Sequence, residues 1–375
     1  MRRLLFIVYC TCTMVIGLAG AADRAVLRVD VPFPTRDKPQ SKIWHAHNHW
    51  WAWLPTKAGS SVWRRTETGW QRETHLDSTL QGLPGQADVW SDDSGVRAVL
   101  VGEKELAVLG LRWENGRYVP AGPPVRWPQA VETATIARDR QGLWWIAHDD
   151  GNKIVARGSK DPEGRHWNDA IVLNEKEMAD DDICAIVALP GGPGVIWSDQ
   201  KNDGVYFRRI GGPVETVQEG GLNADDHINA AVSADGTLYV AMKNSVDRVG
   251  EPQLVLRVRD SQGWWTSVPF ANRTPEATPS RPIAVIGGAP GRLFLLYTAY
   301  EPGPAAQRRD GIALIVSPLP RLRADLPAST VTRGEGVRLN DVTGPKSRFP
   351  GGVPWIVLSS DQHGNVYETR LESRF

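Results

Sequence analysis

Thr133-Ala134-Thr135-Ile136-Ala137 and Leu143-Trp144-Trp145-Ile146-Ala147-His148, joined through Asp139-Arg140-Gln141-Gly142, read as two antiparallel strands around a turn. Both bursts are short and rich in β-branched and aromatic residues, and Asp and Gly supply the turn. Lys153 to Gly158 and His166 to Leu173 continue the unit as its third and fourth strands. The unit then returns as His227 to Val232, the turn Ala234-Asp235-Gly236, Thr237 to Lys243, Gln253 to Val258 and Trp264 to Phe270. Trp50, Arg97, Trp144, Val195, Leu238, Leu293 and Trp355 open equivalent second strands, at intervals of 47, 47, 51, 43, 55 and 62 residues. Self-similarity at this period in an all-β chain marks a β-propeller, because a four-stranded sheet buries both faces only against neighbouring sheets. Seven four-stranded blades are expected, with six as the alternative. The last unit, Leu339 to Leu371, supplies only three strands, and Ala25 to Val31 alternates apolar and polar as a fourth strand would. Closure by pairing of the two chain ends follows.

Composition narrows the class. The 375 residues carry 43 basic and 43 acidic side chains with no basic run, which excludes nucleic acid as the main partner. Tryptophan is the outlier, 16 residues against 7 Tyr and 7 Phe, and suits both inter-sheet packing and sugar platforms. Arg2 and Arg3, the apolar stretch Leu4 to Leu18 and Ala19-Gly20-Ala21 have the layout of a secretory leader. Residues 1–21 are therefore expected to be removed and 22–375 to form a single secreted or periplasmic propeller domain, a monomer without membrane insertion. Cleavage takes Cys10 and Cys12 with it, leaves Cys184 alone in an apolar strand, and gives a net charge of −2.

In a propeller the innermost strands all begin on one face, around the central channel. Here those beginnings read Ser41-Lys42, Asp88, Glu132-Thr133, Asp181-Asp182, Asp225-Asp226-His227 followed by Asn229, Ser280-Arg281 and Asn340-Asp341. The second strands end on the same face and add His148-Asp149-Asp150, Ser198-Asp199-Gln200, Lys243-Asn244 and Tyr297. An acidic funnel with a few cations is implied, and crowded carboxylates there separate their pKa values into an acid and a base. Asp and Asn at strand starts also cap turns, which is the competing reading of each residue. His45, His47 and His49 alternate along a strand, but their register places Ala46-His47-Asn48 in a turn on the opposite rim, so a metal site is not expected. No zinc-type spacing, nucleophile elbow or phosphate loop occurs.

Ser159-Lys160-Asp161-Pro162-Glu163-Gly164-Arg165-His166-Trp167 resembles the Asp-box of sialidase-like propellers with one extra residue before the glycine, and Asp260-Ser261-Gln262-Gly263-Trp264-Trp265 is a looser echo. The resemblance implies a hairpin between third and fourth strands in which Asp161 caps the turn and Trp167 packs between blades. The wider chain is similar to secreted bacterial BNR-type propellers, whose members include sialidases and polysaccharide lyases. It departs from sialidases in lacking their early Arg-Ile-Pro motif and arginine triad, with Ser280-Arg281-Pro282-Ile283 late in the chain instead.

Two functions remain. One is a secreted carbohydrate-active enzyme that cleaves glycosidic bonds in a polysaccharide, one containing uronic acid being favoured. Hydrolysis would use Asp226 and Asp182, whereas elimination would use His227 or Tyr297 as base with Arg281 neutralising the uronate. Arg281, Lys42, Lys243, Asn229, Glu132, Asp88, Asp199, His148 and Asp341 would line the substrate. The other is a non-catalytic glycan-binding or scaffold propeller, disfavoured because the seven strand starts differ from one another. No resident cofactor is expected, although the oxygen-rich funnel is compatible with calcium. His227 shares a strand side with Asn229 and is the first choice for proton transfer, since consecutive Asp226 and His227 point apart in a regular strand.

Overall fold

A computed structural model describes residues 23–287, 291–304, 307, 309–323, 325–346 and 353–371. The leader expected over residues 1–21 lies outside them. Seven antiparallel sheets follow one another along the chain. Their innermost strands are Ile43–Ala46, Gln86–Asp92, Ala134–Arg138, Cys184–Leu189, Ile228–Val232, Thr278–Gly287 and Leu339–Thr343, which we number as blades one to seven. Six sheets have four strands, five of them in simple meander order. Blade two has five, because its third strand, Leu106–Glu114, is long enough to carry both Arg117–Pro120 and Val125–Trp127 on its outer edge.

The seventh blade closes the ring. Leu27–Arg28 pairs with Asn365–Leu371, Leu27 opposite Val366 and Arg28 opposite Asn365. A Cβ on Gly364 would stand 2.2 Å from the Val29 carbonyl oxygen, so the closing turn requires glycine at φ +80°. In blade three the expected fourth strand, His166 to Leu173, shrinks to Ile171–Val172. The residues before it form a turn in which Asp161 accepts the N–H groups of Arg165 and His166, both at 2.9 Å, and Trp167 meets Trp127 of blade two edge-on at 5.7 Å.

Period-two alternation explains the core. In blade four Cys184 and Ile186 face blade three, while Ala185 and Val187 face blade five. Each of the seven blade interfaces is filled in this way by one apolar cluster. Much of the tryptophan excess serves these interfaces. Trp44, Trp51 and Trp53 are buried between blades one and two, and Trp44 Nε1 donates to Tyr118 Oη at 3.0 Å. Cys184 lies in the same kind of cluster, where burial pushes its thiol well above the usual value and keeps it unreactive.

Polar side chains tie neighbouring innermost strands together around the channel. Asp88 accepts the Ser41 N–H at 2.6 Å from blade one and the Ile136 N–H at 2.7 Å from blade three. Thr135 Oγ1 accepts the Ile186 N–H, Asn229 Oδ1 that of Ala284, and Thr343 Oγ1 that of Lys42, at 2.9, 3.0 and 2.9 Å. These bonds satisfy inner-edge N–H groups that have no further strand to pair with.

Candidate functional site at the channel mouth

The strand-start face is not an open funnel. The chain entering blade one, residues 33–42, crosses it. Thr35 bonds Ser360 of blade seven at 2.6 Å through their hydroxyls, and Gln40 Nε2 donates to Ala134 O of blade three at 2.9 Å. Between them Lys38, 7% exposed, pairs with Asp226 of blade five and lies 3.6 Å from Glu132 of blade three. The segment Pro32-Phe33-Pro34-Thr35-Arg36-Asp37-Lys38-Pro39-Gln40 has no periodicity and reads as a linker, so Lys38 was not legible as a site residue.

Around Lys38 the chain gathers its chemistry. Blade five's innermost strand starts only at Ile228, so Asp225, Asp226 and His227 lie in the preceding loop. That irregular backbone lets consecutive residues converge. His227 Nδ1 is 2.5 Å from Asp225 Oδ1 and 2.7 Å from Asp226 Oδ1. Lys243 Nζ donates to the other Asp225 oxygen at 2.5 Å, and His227 Nε2 faces Ser280 Oγ at 3.5 Å. Burial alone would raise the Asp226 carboxyl, but the hydrogen bond and charge of His227 and the Lys38 ammonium hold it well below the ordinary carboxylate value. Glu132 moves the other way. Burial pushes it up to about 7, and Asp226 and Asp149 outweigh some of the pull of Lys38. Its backbone N–H is fixed by Asp149 at 2.9 Å, which leaves the half-exposed carboxyl at the mouth.

Asp225, Asp226 and His227 place ligand atoms within 4.8 Å of one another. A metal would compete there with Lys243 and Lys38, which already balance both carboxylates.

Beside this cluster, blades six and seven carry matching bulges. The ladder skips from Ser280 to Ile283 and from Asn340 to Thr343, and Arg281 and Asp341 take left-handed backbone at φ +54° and +32°. The two bulge residues meet, with Arg281 Nη1 at 2.9 Å from both Asp341 oxygens. Despite burial, Asp341 and Tyr300 hold the guanidinium above its usual value. Tyr300 Oη donates to Asn340 Oδ1 at 2.5 Å, and Asn340 Nδ2 in turn to Asp341 at 2.9 Å.

Several expected site residues do not join this constellation. Asp88 and Asn229 are spent on the inter-blade ties, and Lys346 also pairs with Asp88. Lys42 is wholly buried, donates to Gln40 and to Ala87 O, and is pushed down to about 7 by burial. Asp182 is pushed up to about 6 by burial, yet its oxygens accept from Ala179 N, Gln200 N and Ser198 Oγ, all at 3.0 Å, so it caps a loop rather than facing a substrate. Asp199 caps the next turn through Asn202. His148 is buried with Nδ1 2.6 Å from Asp149 O. Tyr297 is corrected as a catalytic base: the second strand of blade six runs on to Tyr300, and Tyr297 is buried against Phe270 in the interface with blade five. The histidine trio disperses as its register implies. His47 stacks on Trp113 at 4.0 Å within a left-handed turn, His45 meets Trp50 edge-on, and His49 approaches Arg65 O.

The opposite end of the channel is more open. A cavity of about 520 Å³ lies among the turns that follow the innermost strands of blades two to five, with Trp90, Arg138, Arg140 and Lys346 in its wall.

No protein-family model and no curated protein matches the chain. Solved structures do resemble it. The β-propeller domain of the trilobed protease from Pyrococcus furiosus is 8% identical with a TM-score of 0.51, over 92% of this chain and 94% of that one. A catalytically inactive virginiamycin B lyase from Staphylococcus aureus with quinupristin is 9% identical with a TM-score of 0.49, over 93% and 98%. The Penicillium chrysogenum α-L-arabinanase complexed with arabinobiose is 11% identical with a TM-score of 0.45, over 79% and 99%. At such identities the likeness is one of fold. Among the described residues no helix is long and apolar enough to cross a membrane.

Proposed function

We propose that the protein is a carbohydrate-active enzyme that hydrolyses glycosidic bonds at the strand-start mouth, acting outside the cytoplasm once its leader is removed. The observation that carries this reading is the pair Glu132 and Asp226, which flank one ammonium, that of Lys38, with their protonation driven in opposite directions. Two carboxyl groups held apart in this way supply a proton donor and an ionised partner at one pH. Glu132 is the acid that protonates the leaving oxygen, and Asp226 is the carboxylate that meets the developing positive charge on the sugar.

Elimination is less well supported. Tyr297 is buried, and Arg281 is committed to Asp341 rather than turned to a uronate. Lys243 and Lys38 likewise face carboxylates already, so the reading extends to glycosides beyond the uronate-containing ones. A panel of neutral and acidic polysaccharides, read by reducing ends and by the ultraviolet absorbance of unsaturated products, tests it. Release of reducing ends without absorbance, lost in Glu132→Gln, is expected. Binding of a glycan without cleavage would transfer the protein to the binding-module class, and unsaturated products would establish elimination.

A further inference from the structure

Ser280, His227 and Asp225 stand in a row. Asp225 Oδ1 lies 2.5 Å from His227 Nδ1, and His227 Nε2 lies 3.5 Å from Ser280 Oγ. We propose that Ser280 is the nucleophile of a second activity at the same mouth, the hydrolysis of carboxylic esters with a small acyl group. This does not rest on the glycosidic reading, although Asp226 of that reading also contacts His227 Nδ1, at 2.7 Å.

The supporting geometry comes from blades five and six. Asp225 is anchored by Lys243 at 2.5 Å and by Ser245 Oγ at 3.4 Å, so it presents a fixed oxygen to the imidazole. With Nδ1 engaged by carboxylates, the lone pair of a neutral ring resides on Nε2, the atom turned to the serine. Ser280 sits immediately before the bulge. The ladder omits Arg281 and Pro282, and Pro282 has no N–H, so Arg281 supplies the backbone N–H that follows Ser280. A donor from the residue after a nucleophile is where acyl-transfer enzymes bind the oxyanion. The 3.5 Å separation is loose, as such contacts are before substrate is bound. Ser280 is only 6% exposed, so the activity is limited to a small acyl group such as acetyl.

The chemistry balances with water as the co-reactant. Ser280 Oγ bonds to the ester carbonyl carbon as its proton passes to His227 Nε2. The bond from that carbon to the alcohol oxygen breaks, and the alcohol leaves with the proton from Nε2. Water then adds to the acyl-serine carbon and gives its proton to Nε2, after which the bond to Oγ breaks, Oγ recovers the proton and the carboxylic acid departs.

The test uses the full chain. The purified protein is treated with phenylmethylsulfonyl fluoride, the adduct is mapped by peptide mass, and p-nitrophenyl acetate hydrolysis is measured in parallel. A sulfonyl adduct on Ser280 is expected, together with a fall in ester turnover of roughly 10²- to 10⁴-fold in Ser280→Ala and His227→Gln. Thermal unfolding of both variants checks that they fold, and the adduct is read on the unsubstituted protein whatever the variants do. Absence of an adduct on Ser280, or labelling that proceeds equally fast in folded His227→Gln, overturns the proposal. Neither outcome depends on whether any glycan is cleaved.

Discussion

Replacing Asp88 by alanine removes the acceptor shared by three blades. Its two oxygens take the Ser41 N–H at 2.6 Å and the Ile136 N–H at 2.7 Å, and Lys346 pairs with the second oxygen. Asp88 is fully buried, and its carboxylate accepts from both amides. Each orphaned buried donor costs about 1–3 kcal/mol. Lys346 lines the 520 Å³ cavity and can turn its ammonium into it, so its loss of partner adds little. Asp88→Ala should therefore lose about 2–6 kcal/mol, a large part of the ~5–15 kcal/mol of a typical domain. Urea unfolding followed by tryptophan fluorescence, checked against circular dichroism for a single transition, reads the change. Asp88→Asn, which keeps one acceptor, should fall between the wild type and alanine. A loss below about 1 kcal/mol in the alanine variant would refute the tie and return Asp88 to the pool of substrate-facing acids.

Thr135→Val keeps the shape but orphans the Ile186 N–H between blades three and four, and should cost about 1–3 kcal/mol in the same assay. Asp226 titrates lower in the folded chain than its ordinary 3.8, so its stabilisation is complete above that value and fades as pH falls through the folded one. Asp226→Asn should accordingly flatten the acid limb of a stability-against-pH curve, and an unchanged limb would contradict the Lys38 and His227 pairing. Truncation through Val29 removes the closing strand and exposes the edge of Asn365–Leu371. A lower melting temperature and concentration-dependent association in light scattering are expected.

The fold was legible because its signals are local and repeated. Alternating bursts, turn residues and the period of the second strands recur along the chain, and the missing fourth strand at the C-terminus pointed to Ala25 to Val31, within which Leu27–Arg28 pairs. The site was legible only as an address. Strand starts singled out Glu132, Asp226, His227 and Arg281, which lie among ion pairs, but the same addresses held Asp88, Asn229 and Asp182, which bond to backbone. A carboxylate that caps N–H groups and one that faces a mouth have the same sequence signature, since both sit where strands begin. Lys38 was missed because the plug is a non-periodic segment held by contacts nearly two hundred positions away in sequence, as with Asp226. Tyr297 was misplaced for want of the true strand end, three residues on at Tyr300.

On the hydrolytic reading, Glu132 donates the proton in glycosidic cleavage. Its carboxyl, pushed up to about 7 by burial, is protonated below that pH and loses its proton above it. On a glycan substrate found by the reducing-end screen, kcat/KM measured against pH should fall as pH rises through about 7. The same profile in Glu132→Gln should be roughly 10²- to 10⁴-fold lower and lack that limb. A variant that keeps both the rate and the limb would contradict the account.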